Sequence, residues 1–314
     1  MPELLLYTIL ATGQHYSFMN HYIRLIRPKD WAKNLFLFIP VFFSQKLFEL
    51  PRLEHIVAGF FAFSFVASTI YILNDYRDIE QDRLHPIKRK RPLAAGTVKP
   101  FVALLIAAVL LISGFILAWF ADSSMKFTAI LGLYLVMNIA YSLGLKNISI
   151  LDIMIIAAGF VLRLKAGGYI SQVEVSPWLT LMTLLLALFM AIAKRRDDIM
   201  LQIQTGASVR KVKGYNVEYL NTMLGLFSAI IIVTYIMYTL SPRTYERLRN
   251  HHIYYTSVFV IAGLMRYLQI TLVNNRAGSP TDILFKDRFI QLSLVLWVSS
   301  FYVILYLNSF SIFK

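Results

Sequence analysis

The sequence predicts an all-α polytopic membrane protein, one transmembrane domain of about nine helices. Three observations carry that expectation. Of the 314 residues, 58% are hydrophobic and only 15% are charged, and a soluble domain of this length needs more charge to cover its surface. Apolar stretches of about twenty residues, the length a helix needs to cross a bilayer core, recur along nearly the whole chain. Lys and Arg gather in alternate connecting segments, the charge pattern of a multi-pass protein. There is no cysteine, which excludes disulfides, thiol catalysis and thiolate metal sites. The formal charge of +14 reads as basic loops facing anionic lipid, with no nucleic-acid partner.

In chain order the spans fall at 32–50, 54–75, 100–120, 126–144, 148–170, 177–194, 219–240, 253–273 and 289–311. Residues 1–23 read as an interfacial segment, because Met1 to Ile9 carry no basic stretch before their apolar run and so do not resemble a cleaved signal. The first span is the weakest: Pro40 interrupts it, and Lys46 and Glu49 border its end. Connections are short except 76–99 and 195–218, both crowded with charge. With the N-terminus placed in the cytoplasm, inner basic residues outnumber outer ones about three to one. The expected topology is therefore N-terminus in and C-terminus out, in a cytoplasmic (inner) membrane.

The strongest local feature is Asn74-Asp75-Tyr76-Arg77-Asp78-Ile79-Glu80-Gln81-Asp82. Asp75, Asp78 and Asp82 are three and four residues apart, on one face of a helix, with Asn74 at its edge. Three stacked carboxylates repel one another unless a cation sits among them. Hard oxygen ligands on a semi-rigid helix suit Mg²⁺, which keeps waters and takes phosphate oxygens. The bland alternative is a solvated acidic helix end paired with nearby arginines. Against it, the cluster ends a long apolar run and is followed at once by His85-Pro86-Ile87-Lys88-Arg89-Lys90-Arg91-Pro92. Carboxylates that hold a metal beside cations that hold phosphate are recurring equipment of pyrophosphate sites.

Asn-Asp-x-x-Asp-x-x-x-Asp followed by His-Pro-x-Lys-x-x-Arg-Pro resembles the first acidic motif of the UbiA-type membrane prenyltransferases. Upstream, Arg27-Pro28-Lys29-Asp30-Trp31-Ala32-Lys33-Asn34 is similar to the opening motif of one branch, the decaprenyl-phosphate phosphoribosyltransferases. The resemblance runs from about Arg24 to the end and implies a catalytic bundle over 24–314 around a central cavity. Most aromatic prenyltransferases of the superfamily carry a second Asp-x-x-x-Asp cluster. Here, after the fourth span, Tyr141 to Asp152 holds one carboxylate, Asp152, with Lys146. Asp152 and Arg163 are about three turns apart and share a helix face, although Asp152 could simply open the helix and Arg163 snorkel outward beside Lys165. Lys194-Arg195-Arg196-Asp197-Asp198 is either an ordinary basic stop after an apolar helix or, by the resemblance, a source of phosphate ligands.

The resemblance implies a Mg²⁺-dependent enzyme that transfers 5-phosphoribose from phosphoribosyl pyrophosphate to a polyprenyl phosphate. It assigns Asp75, Asp78 and Asp82 to the metal and to catalysis, and Asp152 to the ribose or to an oxocarbenium-like centre. Substrate contacts are expected from Lys29, Lys33, Asn34, Asn74, His85, Lys88, Arg91, Tyr141, Lys146, Arg163, Lys194 and Arg195. Two alternatives stay open: an aromatic prenyltransferase using an isoprenoid diphosphate, and a lipid-phosphate transporter. A homo-oligomer is compatible with the sequence, which is silent on lipid chain length.

Overall fold

The computed structural model describes residues 21–85, 87–205, 214–248, 251–273, 283–284 and 286–306. Residues 1–20 of the interfacial segment expected at the N-terminus, the basic residues of 206–213 and the end of the last span at 307–311 lie outside the described residues. Among the described residues all regular structure is helical, as a bilayer demands of a chain whose backbone must find its hydrogen bonds internally.

A short helix, α1, covers Ile39–Phe43, and α2 covers Leu50–Arg77. The six-residue α3 spans Ile79–Leu84, α4 spans Pro100–Ala121 and α5 spans Lys126–Leu143. Then come α6 at Leu151–Ser171, α7 at Pro177–Thr205 and α8 at Val217–Leu240. The last three are α9 at Pro242–Leu248, α10 at Ser257–Leu268 and α11 at Arg288–Tyr306. Eight of the described segments are long and apolar enough to cross a membrane. They match the second through ninth expected spans, so the chain is a multi-pass membrane protein. Prolines open α4 and α7, where the missing N–H would have had no helical partner anyway.

The first expected span takes a different form. Pro28–Phe38 winds as a 3₁₀ helix, α1 adds only five residues, and the chain then turns toward α2. Tertiary contacts explain this better than local propensity. Asn34 donates to Ser64 Oγ at 2.8 Å, Trp31 Nε1 donates to Ser68 Oγ at 3.0 Å, and Ser68 in turn donates to the Ile26 carbonyl at 2.7 Å. At Gly167 of α6 a Cβ would stand 2.1 Å from the Leu37 carbonyl oxygen. Only glycine lets the two backbones meet there.

The chain divides into two compact units. The first holds residues 1–39, 49–143 and 166–172. In it α2 packs along α4, with Ile72, Ala103 and Ala107 buried, and Thr69 Oγ1 donates to the Ala107 carbonyl at 3.1 Å. Small and hydroxylated residues at that contact suit close helix approach in a membrane. The second unit holds 40–48, 144–165 and 173–314. Its core gathers Phe189, Leu220, Leu224, Ile231 and Tyr267 from α7, α8 and α10. Trp297 Nε1 donates to the Tyr235 hydroxyl at 2.7 Å, and that hydroxyl meets Thr256 at 2.7 Å, so these buried polar atoms are satisfied.

Candidate functional site

In the first unit the acidic motif straddles a break between two helices. α2 ends at Arg77, Asp78 leaves helical geometry at φ −96° and ψ 14°, and α3 begins at Ile79. The hydrogen-bond ladder nevertheless continues, from Asp78 N–H to the Asn74 carbonyl at 3.0 Å and from Asp82 N–H to the Asp78 carbonyl at 2.8 Å. Register is therefore kept, and Asp75 and Asp82 both end up buried, while Asp78 and Asn74 are half-buried.

Buried carboxylates need counter-charge, and two arginines supply it. Arg27 Nη2 lies 2.5 and 2.6 Å from the two oxygens of Asp75. Arg91 Nη1 donates to both Asp75 Oδ1, at 2.9 Å, and Asp82 Oδ2, at 2.7 Å. One guanidinium nitrogen thus joins two carboxylates. The arginine side chains keep 22% and 29% of their surface exposed, so both can exchange their partners for water or for an anion. Arg27 takes the left-handed conformation at φ 56°, uncommon for a non-glycine residue, and its guanidinium also lies 5.2 Å over the Tyr71 ring.

The remaining residues of the two motifs are sorted by their surroundings. His85 Nδ1 accepts the N–H groups of Ile87 at 3.1 Å and Lys88 at 3.2 Å, so the imidazole shapes the turn that delivers Arg91. Asn34 is buried and pins the 3₁₀ segment to α2. Lys33 pairs with Asp30 at 2.6 Å. Lys29 is exposed, and Lys88 and Tyr141 are half-buried. Among the described residues no three His, Asp or Glu side chains converge as a ready-made metal cage.

The second unit carries a different corner at the start of α6. Asp152 is fully buried in its first turn. Arg195 of α7, itself only 4% exposed, donates through Nε to Asp152 Oδ2 and through Nη1 to Asp198 Oδ2 at 2.9 Å. Tyr215 donates its hydroxyl to the other Asp152 oxygen at 2.8 Å and accepts the Ile150 N–H. Burial drives the Tyr215 phenol well above its ordinary range, and accepting the proton of Tyr215 adds the charge of Asp152 to the same effect. Ile150 sits at φ 69°, a strained conformation for a β-branched side chain.

Arg163 is buried and donates to the Gly159 carbonyl at 2.9 Å, so it does not snorkel outward. The described partners of Asp152 are Arg195, from another helix, and Tyr215. Lys194 is exposed and Lys146 half-buried. Two residues of these corners carry no role in the sequence-based expectation: Arg27, which enters it only within its motif, and Tyr215. Arg27 was discoverable, since it precedes a proline in a recognisable motif. Tyr215 stands in a connection with no local signal.

Chemically, the first corner offers carboxylates together with cations that can be released, and the second a cation locked in place by a carboxylate. Comparison with known proteins places this arrangement. The model of the UbiA prenyltransferase family matches residues 35–295. A decaprenyl-phosphate phosphoribosyltransferase of Mycolicibacterium smegmatis is 29% identical over 309 residues, covering 95% of this chain and 96% of that protein. The enzyme of the same name from Mycobacterium tuberculosis is 30% identical over 283 residues, covering 88% of this chain and 92% of that one. Among solved structures, a UbiA homologue from Archaeoglobus fulgidus bound to GPP and Mg²⁺ superposes with a TM-score of 0.67 at 22% identity, over 91% of this chain and 99% of that chain. The eight described helices of membrane-crossing length, the buried aspartates in and just beyond the last turn of α2 and these likenesses agree: the chain belongs to the UbiA prenyltransferase family of membrane transferases.

Proposed function

We propose that the protein transfers 5-phosphoribose from phosphoribosyl pyrophosphate to a polyprenyl phosphate of the decaprenyl type, releasing pyrophosphate, at the cytoplasmic face of an inner membrane. The observation that carries this reading is that Asp152, the one carboxylate of the stretch from Tyr141 to Asp152, is taken up by a buried cation at the second corner. Where a second acidic cluster would bind an isoprenoid diphosphate through metal, this chain presents Arg195 held by Asp152. The likeness to two enzymes named for that transfer, over most of both chains, supports it.

Mg²⁺ suits the first corner. One Arg91 nitrogen already stands between oxygens of Asp75 and Asp82, so that pair accepts a shared cation, and the donors are hard oxygens. Asp75, Asp78 and Asp82 would hold the ion. When bound, it supplies charge neutralisation and orientation for a leaving pyrophosphate.

The residues of the chain do the rest by position and charge. Arg27 and Arg91 are half-exposed cations able to turn from carboxylate to phosphate. Lys29, Lys33, Lys88, Lys146, Lys194 and Arg195 add positive charge for the phosphates of donor and acceptor. The nucleophile is an oxygen of the lipid phosphate, anionic at neutral pH, so no general base is required. It bonds to ribose C1 as the bond from C1 to the pyrophosphate oxygen breaks. The barrier is lowered mainly by orientation and electrostatic stabilisation.

The test is direct. Purified protein with radiolabelled phosphoribosyl pyrophosphate, polyprenyl phosphate and Mg²⁺ should yield a labelled lipid, and chelation of the metal should stop it. Transfer of a labelled isoprenoid diphosphate to an aromatic acceptor, with no pentosyl transfer, would instead assign the protein to the aromatic branch.

A further inference from the structure

We infer that Tyr215 is a positioning residue: it fixes the Asp152 carboxylate, and through it the Arg195 guanidinium, for an incoming phosphate group. The phosphate role of Arg195 rests on the reading proposed above; the clasp itself does not.

Three features converge on it. The Tyr215 hydroxyl uses both of its capacities at once, donating to Asp152 Oδ1 at 2.8 Å and accepting the Ile150 N–H. With Arg195 Nε on Oδ2, both carboxylate oxygens are engaged from opposite partners, which leaves Asp152 one orientation. Next, the backbone is shaped to bring Tyr215 there. Gly214 adopts φ +100°, and a Cβ on it would meet Ser149 Oγ at 2.9 Å. Only glycine gives both that turn and that approach. Finally, Ile150 is held at φ 69°, a conformation that costs a β-branched residue energy and persists only where its surroundings enforce it. The enforcing bond is the one from its own N–H to Tyr215.

The consequence for chemistry follows from burial. Asp152 is fully buried and Arg195 nearly so, so neither has water to fall back on if its partner turns away. A guanidinium that must meet a phosphate with fork geometry needs its plane set beforehand. Arg195 takes its plane from Asp152 and Asp198 together, and Asp152 takes its own from Tyr215. The hydroxyl is therefore a third member of the group that presents Arg195, although nothing requires it to touch a substrate.

A double-mutant cycle between Tyr215→Phe and Arg195→Lys tests this, with inorganic pyrophosphate as the probe and binding to the intact reconstituted protein as the readout. Phe keeps the ring that stacks on Tyr219 at 6.0 Å and removes only the hydroxyl, and melting temperature checks the fold. Tyr215→Phe should weaken binding by about tenfold. The double variant should bind no more weakly than Arg195→Lys alone, because both changes act through one guanidinium. Gly214→Ala, which pushes the same segment off Ser149, should reproduce the loss. Binding of Tyr215→Phe within twofold of wild type, losses that multiply in the double variant, or a wild type that does not bind pyrophosphate would each overturn the inference. Pyrophosphate binding with a non-additive cycle but no pentosyl transfer would sink the proposed reaction and leave the role of Tyr215 standing. Transfer with an additive cycle would do the reverse.

Discussion

Both corners are built from the same pair of residue types, aspartate and arginine, yet burial makes them different devices. At the end of α2, Asp75 is 3% exposed but its arginines keep 22% and 29%. At the start of α6, Asp152 and Arg195 are 0% and 4% exposed. A cation at the rim of a pair can leave, since water or an anion can replace its carboxylate. A cation inside cannot leave without being stranded as a buried charge. The first corner is therefore fit for exchange of ligands and the second for holding one group still. An ion pair in a membrane enzyme does not declare its role by existing; the exposure of its basic partner decides it.

The largest expected effect would break the comparison if it fell on the wrong corner. Asp75→Asn should cut transfer activity by about a hundredfold or more, the scale of losing one group of an electrostatic site, while melting temperature moves little because both arginines can be solvated. An unfolded or unstable Asp75→Asn protein would show that the first corner is structural. Asp152→Asn should do the opposite and lose about 3 kcal/mol of stability, the low end for breaking a buried pair because Asp198 still holds Arg195, read from denaturant or thermal unfolding. A stable Asp152→Asn protein would erase the distinction.

Alkaline pH sharpens the contrast further. The Tyr215 proton is held more tightly in the folded protein than the ordinary phenol value of about 10, through burial and then the Asp152 contact. A raised folded value means the stabilisation is fully present below about pH 10 and is lost as pH rises from there through the folded value. Wild type should lose stability above pH 10 more steeply than Tyr215→Phe, and parallel curves would count against the clasp. The smallest effect is at Ile150. Ile150→Gly relieves the left-handed strain but loosens the unfolded chain, for a net gain of up to about 1 kcal/mol in unfolding free energy. A loss there would mean that the side chain, not the backbone, carries the turn.

Much of the fold was legible in the residues. Eight expected spans coincide with helices of membrane-crossing length, because hydropathy accumulates over twenty neighbouring residues and needs no knowledge of partners. The first span departs because Gly167 and Ser64 of other helices, not its own composition, shape residues 28–38. The acidic motif was equally legible as a place, since Asp75, Asp78 and Asp82 repeat at helical spacing. Its wiring was not. The spacing predicts three carboxylates on one face, and among the described contacts Asp75 and Asp82 are joined through Arg91 beside Arg27.

The sequence by itself determined that this is a multi-pass helical membrane protein with an acidic, arginine-rich corner after its first long helix, since both follow from local composition and periodicity. Only the tertiary structure decided which arginine serves which aspartate and that Tyr215 joins them. Arg27 and Asp75 are 48 residues apart, Asp152 and Arg195 are 43, and Tyr215 and Asp152 are 63. No helical period links positions at such distances. Packing alone sets them side by side, and the burial it imposes separates a cation that can be exchanged from one that is held.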